Sequence, residues 1–543
     1  MASADTVAAG QAAPSGRVAA LQSSRRVDAL VLAGLAIVAL AIRLVKFRQG
    51  VYADELSTLY IVDGRSLSDV LDIVSSDAEV SPPLSFIASW LFSKLGSAPE
   101  LIRLPSMIAG LLSIPLTYLV GLRAVNRATG LIAAAIVTLS PFMVYFSAEA
   151  RGYALAIFFL LLSTLALLRA VRSGGWGWWV AYALASTLAM YSHYTAAFPL
   201  VAQLAWALWT FPGLRLAAVG ANLGALVLYL PWVPGFLDDR ASPTIKLVEA
   251  FAASGLGPRV DGLAAWAFGG PFLPPGEFPG TLIVAIGAVG VAAAAVAALV
   301  RAPRASGRAG PAATDHGVEL VIALGLAAPV LELAVGILGG PEIFGSRNIG
   351  VSSAGMALAI GALVSLGGRP WGWVGGATVL AAFAAAAATN LGSATAKPDF
   401  PSAASWIDAR AEPGDVIVDV HDVRSTPVPL TPLDTYINGS FETFRPLLPV
   451  GPPPFLPFTS DPPPPDELLA DAFEKARGHR VFVLGLEERM VTDGSALTGV
   501  GVGSPTDPES EVFDLPAGAR TIESIELPGL RDLGLFLVED PGR

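Results

Sequence analysis

The chain has 543 residues and not one cysteine, so disulfide staples, thiolate-held metals and cysteine nucleophiles are excluded outright. Charge is scarce too: Asp, Glu, Lys and Arg supply 15% of residues, against roughly a quarter in ordinary soluble domains. Histidine occurs only four times. Neither a zinc-protease spacing nor a Ser–His–Asp arrangement can be assembled from them. No phosphate-cradling glycine loop of the nucleotide-binding kind is present, and "GGWGWW" reads as small-residue packing or loop. No basic patch points to nucleic acid. What is abundant is apolar: 53% of residues are hydrophobic and mean hydropathy is +0.60. A polytopic membrane protein is the class left standing.

The spans can be counted. A helix needs about 20 apolar residues to cross a bilayer, and eleven segments qualify: 28–46, 101–121, 130–147, 153–170, 177–192, 196–210, 215–235, 281–300, 318–338, 350–367 and 371–390. Lys and Arg in short loops mark the cytoplasmic side. "SSRR", "GLRAVNR", "RAVRSGG", "GLR", "RAPRASGRAG" and "GGRP" all fall on one side of this count. The amino terminus is therefore expected in the cytoplasm, with residues 1–27 as a disordered tail rather than a cleaved signal peptide. The loops 47–100, 148–152, 193–195, 236–280 and 339–349 are expected outside, as is everything after 391.

That outer tail differs in charge. From Leu391 onward there are 25 acids against 11 bases, a net of −14, so the remaining 20 against 23 give +3. "GDVIVDV", "RVFVLGL" and "LGLFLVED" read as strands, and "PSAASWIDARA" and "DELLADAFEKARG" as helices. The expectation is a helical membrane domain over 28–390 and a small acidic α/β domain over 391–543. The Pro-rich stretch "PLLPVGPPPFLPFTSDPPPP" interrupts the latter. No internal repeat is apparent, which weighs against transporters built from duplicated halves.

The chemistry gathers at the expected outer face. Loop 47–100 is too long for a simple turn, and "SLSDVLDIVSS" within it has the spacing of an amphipathic surface helix. "VYADELSTLY" places Asp54 and Glu55 just beyond the first span. They read either as a solvated loop pair or as adjacent carboxylates that raise each other's proton affinity, one serving as a base toward a hydroxyl. Glu149 and Arg151 in "SAEARGYALA" read as an ion pair closing a hairpin, or Glu149 faces Asp54 as second acid or metal ligand. His193 is an interfacial hydrogen-bonding residue or a ligand or phosphate contact. Glu342 and Arg347 sit in "GGPEIFGSRNIG"; Arg347 snorkels to the interface or grips a phosphate through its planar fork. Glu332 is the clearest acid deep within a span.

Several of these stretches together resemble a family. "YADELST", "EVSPPLSFIASWLF", "RLPSMIAGLLSIPLTYLVG", "SPFMVYFSAEARGYAL", "FGSRNIGVSSAGMALAI" and "KPDFPSAASWIDARAEPGDVIV" are similar to the GT-C membrane glycosyltransferases. The bacterial relatives of protein O-mannosyltransferases (glycosyltransferase family 39) and the aminoarabinose transferases resemble them most. The resemblance implies an integral enzyme of the bacterial plasma membrane that moves a sugar from a polyprenyl-phosphate carrier to a glycan, lipid or protein acceptor, with inversion. It implies Asp54 as the catalytic base, Glu55 as its partner, and Arg347, His193, Arg151 and Tyr153 as donor-binding groups. Asp54 and Glu149 would hold a divalent metal, with Mg, Mn and Zn all open, and no organic cofactor is implied. Two positions depart from the pattern: Ser81 stands where many relatives have His, and Asn348 where many have Tyr. A polyprenyl-carrier-dependent glycan ligase and a non-enzymatic transporter or scaffold are the other readings.

Overall fold

The computed structural model describes residues 14–76, 79–242, 252, 255–269, 276–301, 316–420, 431–444, 465–502, 511–529 and 531–539. The Pro-rich stretch falls outside them apart from its last residue, as do the "RAPRASGRAG" loop beyond Arg301 and residues 1–13 of the expected tail. From Pro14 the chain is already helical, so the first helix, Pro14–Phe47, takes in part of the segment expected to be disordered.

Helices occupy all eleven apolar segments. Among the described residues seven helical runs are long and apolar enough to cross a membrane, or eight when a bent pair is counted as one. The count is lower than eleven for physical reasons. Trp176–Ser192 and Ala197–Thr210 are only 17 and 14 residues long, and residues 349–390 form one kinked run. The bent pair is Arg127–Leu139 with Pro141–Ser147, turned by 61°. Ser140 is forced out of helical geometry by the proline that follows it, with ψ at 121°. The carbonyls freed at the break are met by Arg43 from the first span. Arg43, fully buried, donates to the carbonyls of Val137 and Thr138 at 3.3 Å. A cation at a helix C-terminus also meets the negative end of the helix dipole.

Three short helices fill the loop that follows the first span: Asp54–Val62, Leu67–Val74 and Leu84–Ser93. The amphipathic one was legible from its spacing, and it begins with a capping box in which Ser66 and Asp69 satisfy each other's backbone N–H groups. Val70 and Val74 are its buried face. They pack with Val51, Leu56, Phe86, Ile102 and Trp232 into an apolar cluster separate from the main helical core.

Beyond Asn390 the chain forms sheets. Strands β1 (Val416–Val420), β2 (Glu442–Phe444) and β3 (Arg480–Leu486) are followed by β4 (Met490–Asp493), β5 (Ala496–Val502), β6 (Glu511–Asp514), β7 (Arg520–Leu527) and β8 (Leu533–Glu539). The larger sheet runs β2-β1-β3-β8-β7, with β1 parallel to β2 and β3 and the remaining pairs antiparallel. Val416 lies opposite Val481, and Val483 opposite Phe536. Helix Phe400–Asp408 covers one face through Trp406 and Ile407. Helix Pro465–Lys475 covers the other through Leu469 and Phe473. The β4-β5-β6 sheet is antiparallel. The three strands and two helices expected here are all present.

Candidate active site at the end of the first span

Asp54 opens a helix and Ala53, just before it, sits at φ 52°, ψ −125°. An alanine in that region pays for its Cβ in steric strain and persists only where its surroundings hold it. The surroundings do. Glu55 points inward, fully buried, and its two oxygens are completely engaged. Oε1 accepts from Arg103 Nε at 2.7 Å and from the Ala150 amide at 2.9 Å. Oε2 accepts from Arg103 Nη2 and Lys397 Nζ, both at 2.5 Å. Arg103 spends its other donors on the carbonyls of Phe47, Gln49 and Gly50. A buried carboxylate with two cations and a backbone amide is satisfied, and loss of one cation would leave charge stranded.

Asp54 points the other way. Its Oδ2 accepts from Arg347 Nη1 at 2.8 Å, and the two side chains remain 34% and 58% exposed. Burial raises the Asp54 carboxyl, but the positive charges of Arg347, Arg151 and Lys397 outweigh it and hold the group below its ordinary value. Glu55 likewise feels burial first, and Arg103 and Lys397 bring it down to about 2. Glu55 does raise Asp54, as the sequence leads one to expect of adjacent acids, but the cations outweigh that effect and the net shift is downward. Four cations converge on the two acids, and three of them come from distant parts of the chain.

The group that is raised is Glu149. It is 4% exposed, and its Oε2 has no hydrogen-bond partner among the described residues. Burial, reinforced by Glu55 and Asp54, pushes its carboxyl up to about 7 against the pull of Lys397 and Arg347. The Glu149–Arg151 ion pair is not formed. Arg151 instead holds Glu79 through two 3.1 Å hydrogen bonds and donates to Ser81 Oγ at 3.1 Å. Ser81, one of the two departures from the family pattern, thus contacts a site residue through a hydroxyl. The other, Asn348, closes its own loop by donating to the Ile343 carbonyl at 2.7 Å.

Tyr153 and His193 pack ring against ring, centroids 4.7 Å apart. The helices carrying them can approach because Gly152 intervenes; a Cβ there would lie 2.1 Å from the Ser192 carbonyl oxygen. Thr195 donates its amide to His193 Nδ1 at 3.3 Å. Burial, then the Arg151 charge, lowers the imidazole to about 4, so the ring is neutral at pH 7. Glu342 pairs with Arg259 at 2.7 Å, and Glu332 is fully buried within its helix.

The structure thus draws Asp54, Glu55, Glu149 and Arg347 into one electrostatic cluster beside Arg151, with Tyr153 and His193 stacked next to it. Sequence reading missed Glu79, Arg103 and Lys397. Arg103 had one visible signal, a charge at the start of an apolar span. Among the described residues, Glu487, Glu526 and Asp532 are the one group of three or more acids or histidines whose ligand atoms lie close enough together to share a metal ion. They lie in the sheet region, two of them exposed, and none of them touches the Asp54 cluster.

No curated protein matches the chain significantly. The fold is similar to ArnT from Cupriavidus metallidurans in its apo state, at 14% identity over 86% of this chain and 94% of that one, with TM-score 0.38. It is similar to the Archaeoglobus fulgidus oligosaccharyltransferase in the apo form, at 13% identity over 90% of this chain and 74% of that one, with TM-score 0.46. Arabinofuranosyltransferase AftD from Mycobacteria is similar at 13% identity over 94% of this chain and 41% of that one, with TM-score 0.38. Residues 80–234, which carry Arg103, Glu149, Arg151, Tyr153 and His193, match the model of the dolichyl-phosphate-mannose-protein mannosyltransferase family.

Proposed function

We propose that this multi-pass membrane protein is a glycosyltransferase of the GT-C type that takes a sugar from a polyprenyl-phosphate donor and gives it to an acceptor hydroxyl at the extracytoplasmic face. The observation that carries the reading is the half-open Asp54–Arg347 pair at 2.8 Å, with the sealed Glu55 behind it. A base and a permanent cation side by side suit a reaction that needs a proton removed from one oxygen and negative charge stabilised on another.

In this reading the acceptor oxygen attacks the anomeric carbon from the face opposite the phosphate, and its proton passes to Asp54. The bond from that carbon to the phosphate oxygen breaks. Its electron pair leaves with the polyprenyl phosphate, and the configuration inverts. Arg347 changes partner from Asp54 to the phosphate, freeing the carboxylate as the donor seats. Asp54 is ionised throughout the neutral range because its pKa is depressed. Glu55 acts through Asp54, by holding its turn. His193, Tyr153 and Arg151 line the donor's side of the cluster. The amino-terminal residues ahead of the first span lie in the cytoplasm, and loop 47–100 and the sheets after Asn390 lie outside.

The orphaned Glu149 Oε2 and the Asp54 carboxylate fit a divalent cation, and Mg, Mn and Zn all accept such oxygens. Bound there, a cation would help neutralise the phosphate. Asp54 and Glu149 would be the protein ligands.

The test uses purified protein in lipid nanodiscs and a panel of labelled polyprenyl-phosphate sugars, with and without divalent metal. Metal-modulated release of sugar from one donor supports the reading. Turnover confined to pyrophosphate-linked glycans would favour a ligase, and failure to bind any carrier would sink it.

A further inference from the structure

The turn that delivers Asp54 is gripped from two directions. On the bundle side, Arg103 holds the carbonyls of Phe47, Gln49 and Gly50. On the other side every contact comes from residues after the last apolar span. The Val51 amide donates to the Tyr436 hydroxyl at 2.6 Å, and that hydroxyl donates to Glu100 Oε1 at 2.9 Å. Lys397 donates its ammonium to Glu55 and its amide to Gln49 Oε1 at 3.3 Å. Lys46, at the end of the first span, donates to the Thr395 carbonyl at 2.8 Å. Phe400 stacks on Tyr52 at 6.2 Å. Gly50 has no side chain because Pro401 fills the space, with its Cδ 2.8 Å from where a Cβ would be.

The strained Ala53 is the last residue of this gripped segment. A backbone in that region relaxes unless its neighbours over-determine it, and relaxation would swing Asp54 away from Arg347. We propose that Tyr436 and Lys397 are positioning residues for Asp54, so that the outer α/β region is a working part of the catalytic site rather than an appendage. The inference rests on the reading of Asp54 as the base. Tyr436 reaches Asp54 through the Val51 amide. Lys397 does so through Glu55, the residue next in sequence. Neither contact needs substrate, so the turn is set before the donor arrives.

The test compares wild type, Tyr436→Phe, Lys397→Met and Lys397→Arg in nanodiscs by two readouts. Hydrogen exchange of the peptide 48–58 reports the turn directly and requires no substrate. Tyr436→Phe removes one oxygen and keeps the ring, so the fold should survive; the expected result is about tenfold faster exchange at Val51. Steady-state kinetics should show kcat falling about 10- to 100-fold with donor KM within about twofold, the signature of a misplaced catalytic group rather than a lost substrate contact. Lys397→Arg should retain most activity, and Lys397→Met should not. Unchanged exchange and unchanged kcat in Tyr436→Phe would overturn the proposal, as would a rise in KM alone. Should wild type transfer no sugar, the exchange data still decide whether the turn is held, and the functional reading fails separately.

Discussion

Arg347 and Asp54 stand 293 residues apart in the chain and 2.8 Å apart in space, one at the entry to a late span and the other just past the first. Both side chains remain accessible while the acid next to Asp54 is sealed. That contrast, one carboxylate sealed among cations and its neighbour open and proposed as the base, organises the expected behaviour of variants.

Arg347→Ala should act twice. It removes the cation proposed to meet the donor phosphate, so donor KM should rise, and kcat should fall with it. It also removes the largest positive influence on Asp54, so the Asp54 pKa rises. A base works only when deprotonated. Activity is lost as pH falls through its pKa, and the acidic limb of the rate profile should move to higher pH in the variant. A limb that stays put would detach Asp54 from that titration.

Arg103→Leu should destabilise the protein by about 3–5 kcal/mol, the range seen when one partner of a buried pair is removed. Glu55 then keeps only Lys397 and the Ala150 amide. Thermal unfolding in detergent checks it. In the intact protein, stabilisation from Glu55 is fully present above the ordinary value of 4.5 and fades as pH falls toward about 2. Acid unfolding that shows no loss in that window in wild type would contradict the depressed value.

Gly152→Ala should lower activity and melting temperature together. The obstructing atom is a backbone carbonyl at 2.1 Å, which cannot rotate away as a side chain could. The helix starting at Tyr153 must shift, and Glu149 and Arg151 shift with it. Gly177→Ala, where nothing lies within 4 Å of the added carbon, is the matching control and should be silent.

Arg43→Leu tests the break in the third helical segment. Three hydrogen bonds to carbonyls, of Ala39, Val137 and Thr138, vanish in a place without water. A loss of about 2 kcal/mol is expected. Arg43→Lys should recover part of it, since a single ammonium can satisfy some of these acceptors; equal melting of all three proteins would refute the capping role.

Much of this architecture is legible in the sequence. Apolar runs and alternating strands are local signals, and helices and strands appear where the periodicity put them. The capping residues Ser66 and Asp69 mark the amphipathic helix for the same reason. The site residues announced themselves by being charged at the edge of apolar segments. What the sequence could not show is pairing. Glu55 with Lys397 spans 342 residues, and Arg151 with Glu79 spans 72. Without those partners, Asp54 and Glu55 look like mutually repelling acids and Arg151 looks like the partner of its near neighbour Glu149. The surrounding cations outweigh the repulsion between the two acids, and Glu79 takes Arg151 away from Glu149. The helix Asp54–Val62 escaped notice because it follows a strained residue instead of a capping side chain.

The most direct test of the central claim is Asp54→Asn, measured beside wild type for both donor binding and sugar transfer from the carrier. The change removes the base and almost no volume. The account predicts donor bound with near-normal affinity and transfer reduced to background. Transfer at the wild-type rate by Asp54→Asn would contradict it.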